Sequence, residues 1–512
     1  MQNANKVALN SLALYLNMLV TMGATLLGTR FVLKALGETE YGVYVLVADI
    51  VAMFSFLNVS MAASTQRYLS YAIGEGNEHK LKEIFYYSIS IHAVIALILV
   101  AVLIGLGLPA VNMWLDIPVH IRTDAMLVLA CMAVSTVFIV LAVPYEGAMN
   151  AHEDIYVIAG INVFDALFKL FAAVIVFFVP SGRLLLYAAM IMTSGILVFL
   201  LKKIYSDRHY SETRFKLHRL TDFALVKEMT GFAGWNLIGT GCSLLRYQGA
   251  AIMLNKFFGL VTNAAYGVAQ QLNGFLLFFA NSSVRPMRPI IIKSEGAGNH
   301  KQMIRLTHTV SKVTFLMLSV AIVPLYVNMP YILELWLSEV PDGALHFCRG
   351  FILIVLIGQL SVGLQIALES KGRIKRLQIV VGLMHAVPLF AAYPLFLLGF
   401  PSYVILYCVI VEELICLFLR VWIAWRDADV APFAYLRTVV LPCTLCAAMA
   451  FVASYLCNAL VLSLHPLFRV IVSVVIVLLV VATIGYFLCI NSWERGKILS
   501  MLSSFRKKHV RR

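Results

Sequence analysis

An all-α polytopic membrane protein is the fold class this sequence predicts. The expected architecture is about 14 transmembrane helices: two parallel-repeat six-helix bundles around a central cavity, plus a C-terminal helical hairpin. Three observations predict it. Hydrophobic residues make up 61% of the chain and charged ones only 13%, where a soluble protein carries roughly 25% charged residues. Apolar runs long enough to cross a bilayer recur along the whole length. One polar phrase also occurs twice: GEGNEHK at residues 74–80 returns as GAGNHK at 296–301.

The spans fall at about 7–35, 41–68, 84–108, 123–148, 155–179, 183–202, 230–257, 262–288, 303–328, 345–368, 376–399, 401–424, 437–461 and 467–490. The first, second, seventh and eighth are long and carry polar residues. The opening MQNANK leads into an apolar run that is too long for a cleavable signal peptide and lacks its small-residue flank.

The formal charge of +14 does not indicate nucleic acid as a partner. The basic residues are spread over short gaps between apolar runs. With the N-terminus inside, about 30 of the 40 basic residues fall on the inner side and about 7 on the outer side. An even number of spans then leaves both termini cytoplasmic.

The repeat sets the domain plan. Tyr41–Gly42 returns as Tyr266–Gly267, Lys80 returns as Lys301, and WLDIP from Trp114 returns as WLSEVP from Trp336. Three echoes in one order at nearly one spacing indicate an internal duplication. Six spans is an even number, so both copies enter the membrane the same way round. The expected organisation is an N-terminal bundle at 1–202, a basic cytoplasmic linker at 203–229, a second bundle at 230–424, a transmembrane hairpin at 437–490 and a basic tail at 491–512.

Catalytic signatures are absent from the sequence. There is no GxxxxGK[ST] phosphate loop and no HExxH, and the gaps between spans are too short to hold an enzyme domain. No enzyme activity, cofactor or metal is expected. Cys443 and Cys446 have CxxC spacing but lie inside an apolar segment, so they read as small core residues. His92 and His385 fall inside spans, where a packed or pore-facing structural role is expected.

Ionisable groups within spans are expensive and face a partner or a wet cavity. Arg30 and Asp49 lie on the first two helices. Arg246 lies on the seventh, and Gln270, Gln271 and Asn273 on the eighth. These are corresponding helices of the two copies, which favours a substrate-binding cavity. The alternatives are snorkelling for Arg30 and an internal ion pair for Arg246. Asp165 and Lys169 are four apart on one helical face and can pair with each other. They read as a buried structural pair, with ion coupling as the alternative. Glu412 and Glu413 remain open: one can pair with Arg420, the other can serve as a proton site.

The segments NSLALYL, LGETEYGVYVL, STQRYLSYAIGEGNEHKLKEIF and WLDIP, followed by a degenerate second copy, resemble the polysaccharide-transporter branch of the multidrug/oligosaccharidyl-lipid/polysaccharide exporter (MOP) superfamily. That branch includes Wzx-type flippases. The resemblance implies alternating access in a bacterial cytoplasmic membrane. It also implies flipping of an undecaprenyl-diphosphate-linked oligosaccharide unit of O-antigen or capsule, with other polysaccharide-assembly membrane proteins as candidate partners. Arg30 and Arg246 would then meet the diphosphate, with Lys34, Arg67 and Lys256 behind them, and Asp49 is the nearest analogue of a coupling acid. The alternatives are an ion-coupled drug or small-molecule exporter of the same superfamily and, further off, a glycan polymerase or ligase.

Overall fold

A computed structural model describes residues 2–52, 55–109, 111, 121–214, 223–337, 340–460, 465–489 and 494–495. Among these residues there are helices and no strands. In chain order the first helices are α1 Gln2–Ala52, α2 Ser55–Glu75, α3 Glu78–Val102, α4 Arg122–Ala151, α5 Ile155–Phe178 and α6 Arg183–His209. Next come α7 Phe223–Val284, α8 Arg288–Gly296, α9 His300–Val327, α10 Met329–Trp336, α11 Ala344–Gln359 and α12 Val362–Lys371. The chain continues with α13 Lys375–Met384, α14 Val387–Leu397, α15 Val404–Ala428, α16 Pro432–Tyr435, α17 Leu441–Leu460 and α18 Pro466–Ile484.

A helix stands at each expected span. Among the described residues, nine are long and apolar enough to cross a membrane, or ten if the bent pair α11 and α12 forms one span. The second, seventh, eighth and twelfth expected spans fall below that measure, and the last three of them bear polar groups that the site below employs.

The duplication is visible in backbone angles. Gly37 (φ 72°) breaks α1, and Gly259 (φ 80°) breaks α7 at the equivalent place in the second copy. Gly76 (φ 69°) and Gly298 (φ 72°) make the two inner turns at the same offset. Asn77 then caps α3 by accepting from the Lys80 N–H, and Asn299 caps α9 by accepting from the Gln302 N–H. A left-handed glycine followed by an Asn cap is the chemistry of a turn that restarts a helix. The doubled polar phrase is that device, used once in each copy. The outer echo WLDIP lies outside the described residues, as do 338–339 of WLSEVP.

The chain divides into two compact units. One is Gln2–Leu237 with Gly296–Gly298; the other is Ile238–Glu295 with Asn299–Arg512. The division falls inside α7 rather than in the expected linker. Lys202, the last residue of the expected first bundle, is held by Glu146 at 2.8 Å, and α6 continues to His209. Residues 215–222 of the linker and 496–512 of the tail lie outside the described residues. In the first unit α1 packs on α5, and α4 packs on α2, α3 and α6. In the second, α9 packs on α11, α12, α17 and α18, while α15 packs on α11 to α14. The C-terminal hairpin is therefore part of the second unit, and it is pinned there. Lys312 on α9 is buried, and its Nζ reaches the Glu494 carboxylate at 2.6 Å and the Cys489 carbonyl at 3.0 Å.

Candidate functional site: a buried ion network in the second unit

Two spans break next to α15, and the breaks build the site. The α11–α12 pair bends by 45°, leaving Ser361 at the bend. The Leu360 carbonyl beside it is taken by the Tyr435 hydroxyl at 2.7 Å. The α13–α14 span breaks at His385. A freed backbone group inside a membrane needs such a partner, and the same breaks bring side-chain polar groups to α15. On α15, Glu412, Cys416 and Arg420 are spaced by four residues and share one face, with Glu413 beside them.

Arg246 on α7 closes the constellation. Its Nη1 donates to Glu412 Oε2 at 2.8 Å and to Glu413 Oε2 at 3.1 Å. Its Nη2 donates to the Tyr247 hydroxyl at 2.9 Å. Arg420 holds the other side of Glu413 at 2.6 Å and donates to Ser361 Oγ at 3.1 Å. The Cys416 thiol donates to Glu412 Oε1 at 2.9 Å. All four charged groups are at most 6% exposed. With neutral His385, two guanidinium charges balance two carboxylates, so the cluster has no net charge. Neutrality is what lets such a group persist in a low-dielectric interior.

His385 Nδ1 lies 3.2 Å from Arg246 Nη1 and 2.9 Å from Glu412 Oε1. One ring nitrogen cannot serve both. Unprotonated, it accepts from Arg246; protonated, it donates to Glu412. The network therefore has two hydrogen-bonded arrangements, set by whether Nδ1 carries a hydrogen. The donor atoms of His385, Glu412 and Cys416 also lie within 4.8 Å of one another, a set that suits a borderline divalent metal by type. The Arg246 guanidinium already holds the same Glu412 carboxylate and lies on the same His385 nitrogen.

Of the residues singled out in the sequence, Arg246, His385, Glu412, Glu413 and Arg420 meet in this network, and Gln270 shares Tyr247 with Arg246 as a neighbour. The Gln270 amide donates to the Tyr247 carbonyl at 3.4 Å, and the Tyr266 hydroxyl donates to the same carbonyl at 3.2 Å. Asn273 is buried with its Oδ1 unpaired, whereas Gln271 is exposed. Arg30 belongs to the other unit and is exposed, as is Lys34, whose ammonium lies 5.4 Å from the centroid of the Phe177 ring. The Asp49 side chain lies outside the described residues. Asp165 and Lys169 pair at 2.7 Å, and Ser194 adds a hydrogen bond to Asp165. Their side chains are 27% and 45% exposed, which corrects the expectation of burial. The sequence alone makes His385 structural; its position at a helix break inside a span is the signal that could have drawn it into the site.

A model of the MatE family matches residues 13–175. No curated protein matches the chain. Solved structures share the fold at low identity. An outward-facing multidrug resistance MATE family transporter of the MOP superfamily is 10% identical with TM-score 0.70, covering 84% of this chain and 96% of that one. A MOP superfamily transporter from Pyrococcus furiosus, whose title describes a binding pocket of reverse polarity, is 12% identical with TM-score 0.68 over 84% and 96%. A mutant of the Vibrio cholerae MATE transporter VcmN is 17% identical with TM-score 0.66 over 83% and 97%. The fold is thus that of MATE transporters, which are not enzymes.

These findings correct the sequence reading. The polysaccharide-transporter branch does not stand: the family model that matches is MatE, and solved structures of MATE transporters share the fold. The lipid-linked glycan substrate and the polysaccharide-assembly partners rested on that branch and fall with it. The reason is physical. The segments that carried the resemblance hold Gly37, Gly76 and Asn77, which bend and cap helices. Such residues report the fold and carry no information about substrate.

Proposed function

We propose that this chain is a proton-coupled exporter of small organic molecules, a multi-pass membrane protein with both termini in the cytoplasm, and that the Arg246–Glu412–His385 contact is its coupling element. The observation that carries this is the charge balance of the buried network. A proton taken up by His385 or Glu412 adds an uncompensated positive charge where ionic groups are expensive. A proton on His385 Nδ1 costs Arg246 its contact at the α13–α14 break, and a proton on Glu412 neutralises one of the two carboxylates that hold Arg246 to α15, so either loosens Arg246. Arg246 lies on α7, the helix that passes from one unit into the other, so release of Arg246 acts on the element that connects them. Gln270 and Asn273 are the proposed substrate contacts nearest this point, and Arg30, Asp49 and Gln271 are retained as further substrate contacts. Asp165 and Lys169 are proposed as a structural pair.

The test is proteoliposomes holding a pH-sensitive dye, with ethidium as the transported probe. Addition of ethidium to wild-type protein should change the lumenal pH, and an imposed proton gradient should drive ethidium accumulation. Glu412→Gln should abolish both while the protein still elutes as a single folded species. Undiminished coupled transport by Glu412→Gln removes the network from the mechanism. Ethidium movement driven by a sodium gradient and indifferent to pH replaces the proton with sodium.

A further inference from the structure

The C-terminal hairpin supplies no member of the ion network, yet it is fastened to the bend that shapes it. Three residues on one face of α9 hold the hairpin. His308 Nδ1 pairs with Thr438 Oγ1 at 3.0 Å, and Ser311 Oγ lies 2.8 Å from the Tyr435 hydroxyl. Lys312 Nζ reaches the Cys489 carbonyl at 3.0 Å and Glu494 at 2.6 Å. Tyr435 stands in the first turn of the hairpin's first arm, Pro432–Leu460, and is fully buried.

Tyr435 reaches past α9 to the α11–α12 bend, where its hydroxyl lies 2.7 Å from the Leu360 carbonyl. On the other side of the same bend the Gly363 N–H donates to Ser311 Oγ at 2.9 Å. A phenol has one hydrogen and a carbonyl can only accept. Tyr435 therefore donates to Leu360 and accepts from the Ser311 hydroxyl. The chain of bonds runs from the Gly363 N–H through Ser311 and Tyr435 to the Leu360 carbonyl, so two hydroxyls serve the backbone groups that the bend frees. The fit leaves no slack. A Cβ at Gly363 would collide with the Thr307 carbonyl and with Ser311 Oγ, so α12 meets α9 as closely as glycine allows. Between Leu360 and Gly363 stands Ser361, whose Oγ accepts from Arg420 Nη1 at 3.1 Å, and Arg420 holds Glu413 at 2.6 Å. Ser311, Ser361, Arg420 and Glu413 are all buried.

We infer that Tyr435 is a positioning residue for the ion network: it fixes the α11–α12 bend, and through Ser361 it fixes where Arg420 meets Glu413. An unpaired carbonyl in a low-dielectric interior is costly. Without the Tyr435 hydroxyl the bend relaxes toward a helix that pairs Leu360 internally. Ser361 turns with it, and Arg420 loses its second acceptor. The hairpin is then the support that sets the geometry of a site to which it lends no charge. What this means for transport rests on the coupling role proposed for the network; the positioning itself does not.

The experiment is a variant cycle on the full chain in detergent, read as melting temperature. Tyr435→Phe keeps the ring and removes the hydroxyl; Ser361→Ala cuts the link from the bend to Arg420. Tyr435→Phe should lower the melting temperature, and in the Ser361→Ala background it should lower it by less than half as much. Equal drops in the two backgrounds overturn the inference, because the hydroxyl then serves only its own neighbours. Ser311→Ala strips the Gly363 N–H of its acceptor and should couple to Ser361→Ala in the same way; it decides the matter if Tyr435→Phe does not fold. The second readout is the pH profile of ethidium transport in proteoliposomes. Tyr435→Phe and Ser361→Ala should displace its midpoint in the same direction, and the double variant no further than the larger of the two. Where Glu412→Gln abolishes coupled transport, a Tyr435→Phe profile that falls by one factor at every pH, with the midpoint in place, also overturns the inference. The two readings fail separately. Undiminished transport by Glu412→Gln removes the coupling role and leaves the melting cycle to decide on Tyr435, whereas additive drops in the cycle remove Tyr435 alone.

Discussion

At the scale of single residues, the strongest constraint is that charges inside the second unit come in balanced sets. Arg420 has Glu413 and Ser361 as partners, and Glu413 has Arg420 and Arg246. Arg420→Met leaves one guanidinium facing two carboxylates. Breaking a buried pair on one side costs about 3–5 kcal/mol, so this variant should melt far below wild type in detergent. Adding Glu413→Gln restores one cation to one anion, and the double variant should recover most of the loss. If both variants melt alike, charge balance is not what holds α15. The sequence exposes this site only in part. Two acids and an arginine inside one apolar span are plain to see, and the Glu413–Arg420 contact lies within a single helix. The partners from α7 and the α13–α14 break are a different matter. Arg246 and Glu412 are 166 residues apart, and no periodicity in one helix reports which face of another helix meets it.

At the scale of elements, the glycine breaks and the capped turns do most of the shaping. Gly259 sits at φ 80°, ψ −171°, a region that is essentially glycine-only. Gly259→Ala should cost about 1–3 kcal/mol, read as a drop in melting temperature; a neutral effect would mean the break straightens without penalty. The turn before α9 supplies a pH dependence. Glu295 accepts from Lys371 at 2.8 Å and from His300 at 2.9 Å, and both side chains reach Asp429 at 3.8 Å. Burial raises the Glu295 carboxyl, but the hydrogen bonds from Lys371 and His300 outweigh it and hold the group below its ordinary value. A carboxylate depressed in the folded state stabilises above its unfolded pKa, and that contribution is lost as pH falls through the folded value. Wild-type melting temperature should therefore fall between about pH 5 and about pH 3 more steeply than that of Glu295→Gln. Parallel curves would show that the turn contributes nothing. These elements are legible in sequence to different degrees. The doubled Gly-Asn phrase announces its turns, because glycine and an Asn cap are a local device. The break at Gly37 is not legible, because an isolated glycine within an apolar run carries no mark of its φ.

At the scale of the whole molecule, the question is how the two copies cross the membrane. His79 and Lys301 occupy equivalent places in the two copies, each within the first turn of the helix that follows a left-handed glycine and an Asn cap. Six spans separate them in the expected topology. An even number puts the two positions on one side, whereas an inverted repeat needs an odd number and puts them on opposite sides. The basic bias predicts that this side is the cytoplasmic one. Ser181, between α5 and α6, and Phe400, between α14 and α15, then lie outside, and all four positions are exposed. In a variant with its nine native cysteines replaced, a membrane-impermeant maleimide on intact cells should label Ser181→Cys and Phe400→Cys. It should reach His79→Cys and Lys301→Cys only after permeabilisation. Labelling of His79→Cys without Lys301→Cys would break the parallel repeat and with it the equivalence of α1 and α7. Labelling of both, with Ser181→Cys and Phe400→Cys silent, would keep the repeat and reverse the protein in the bilayer.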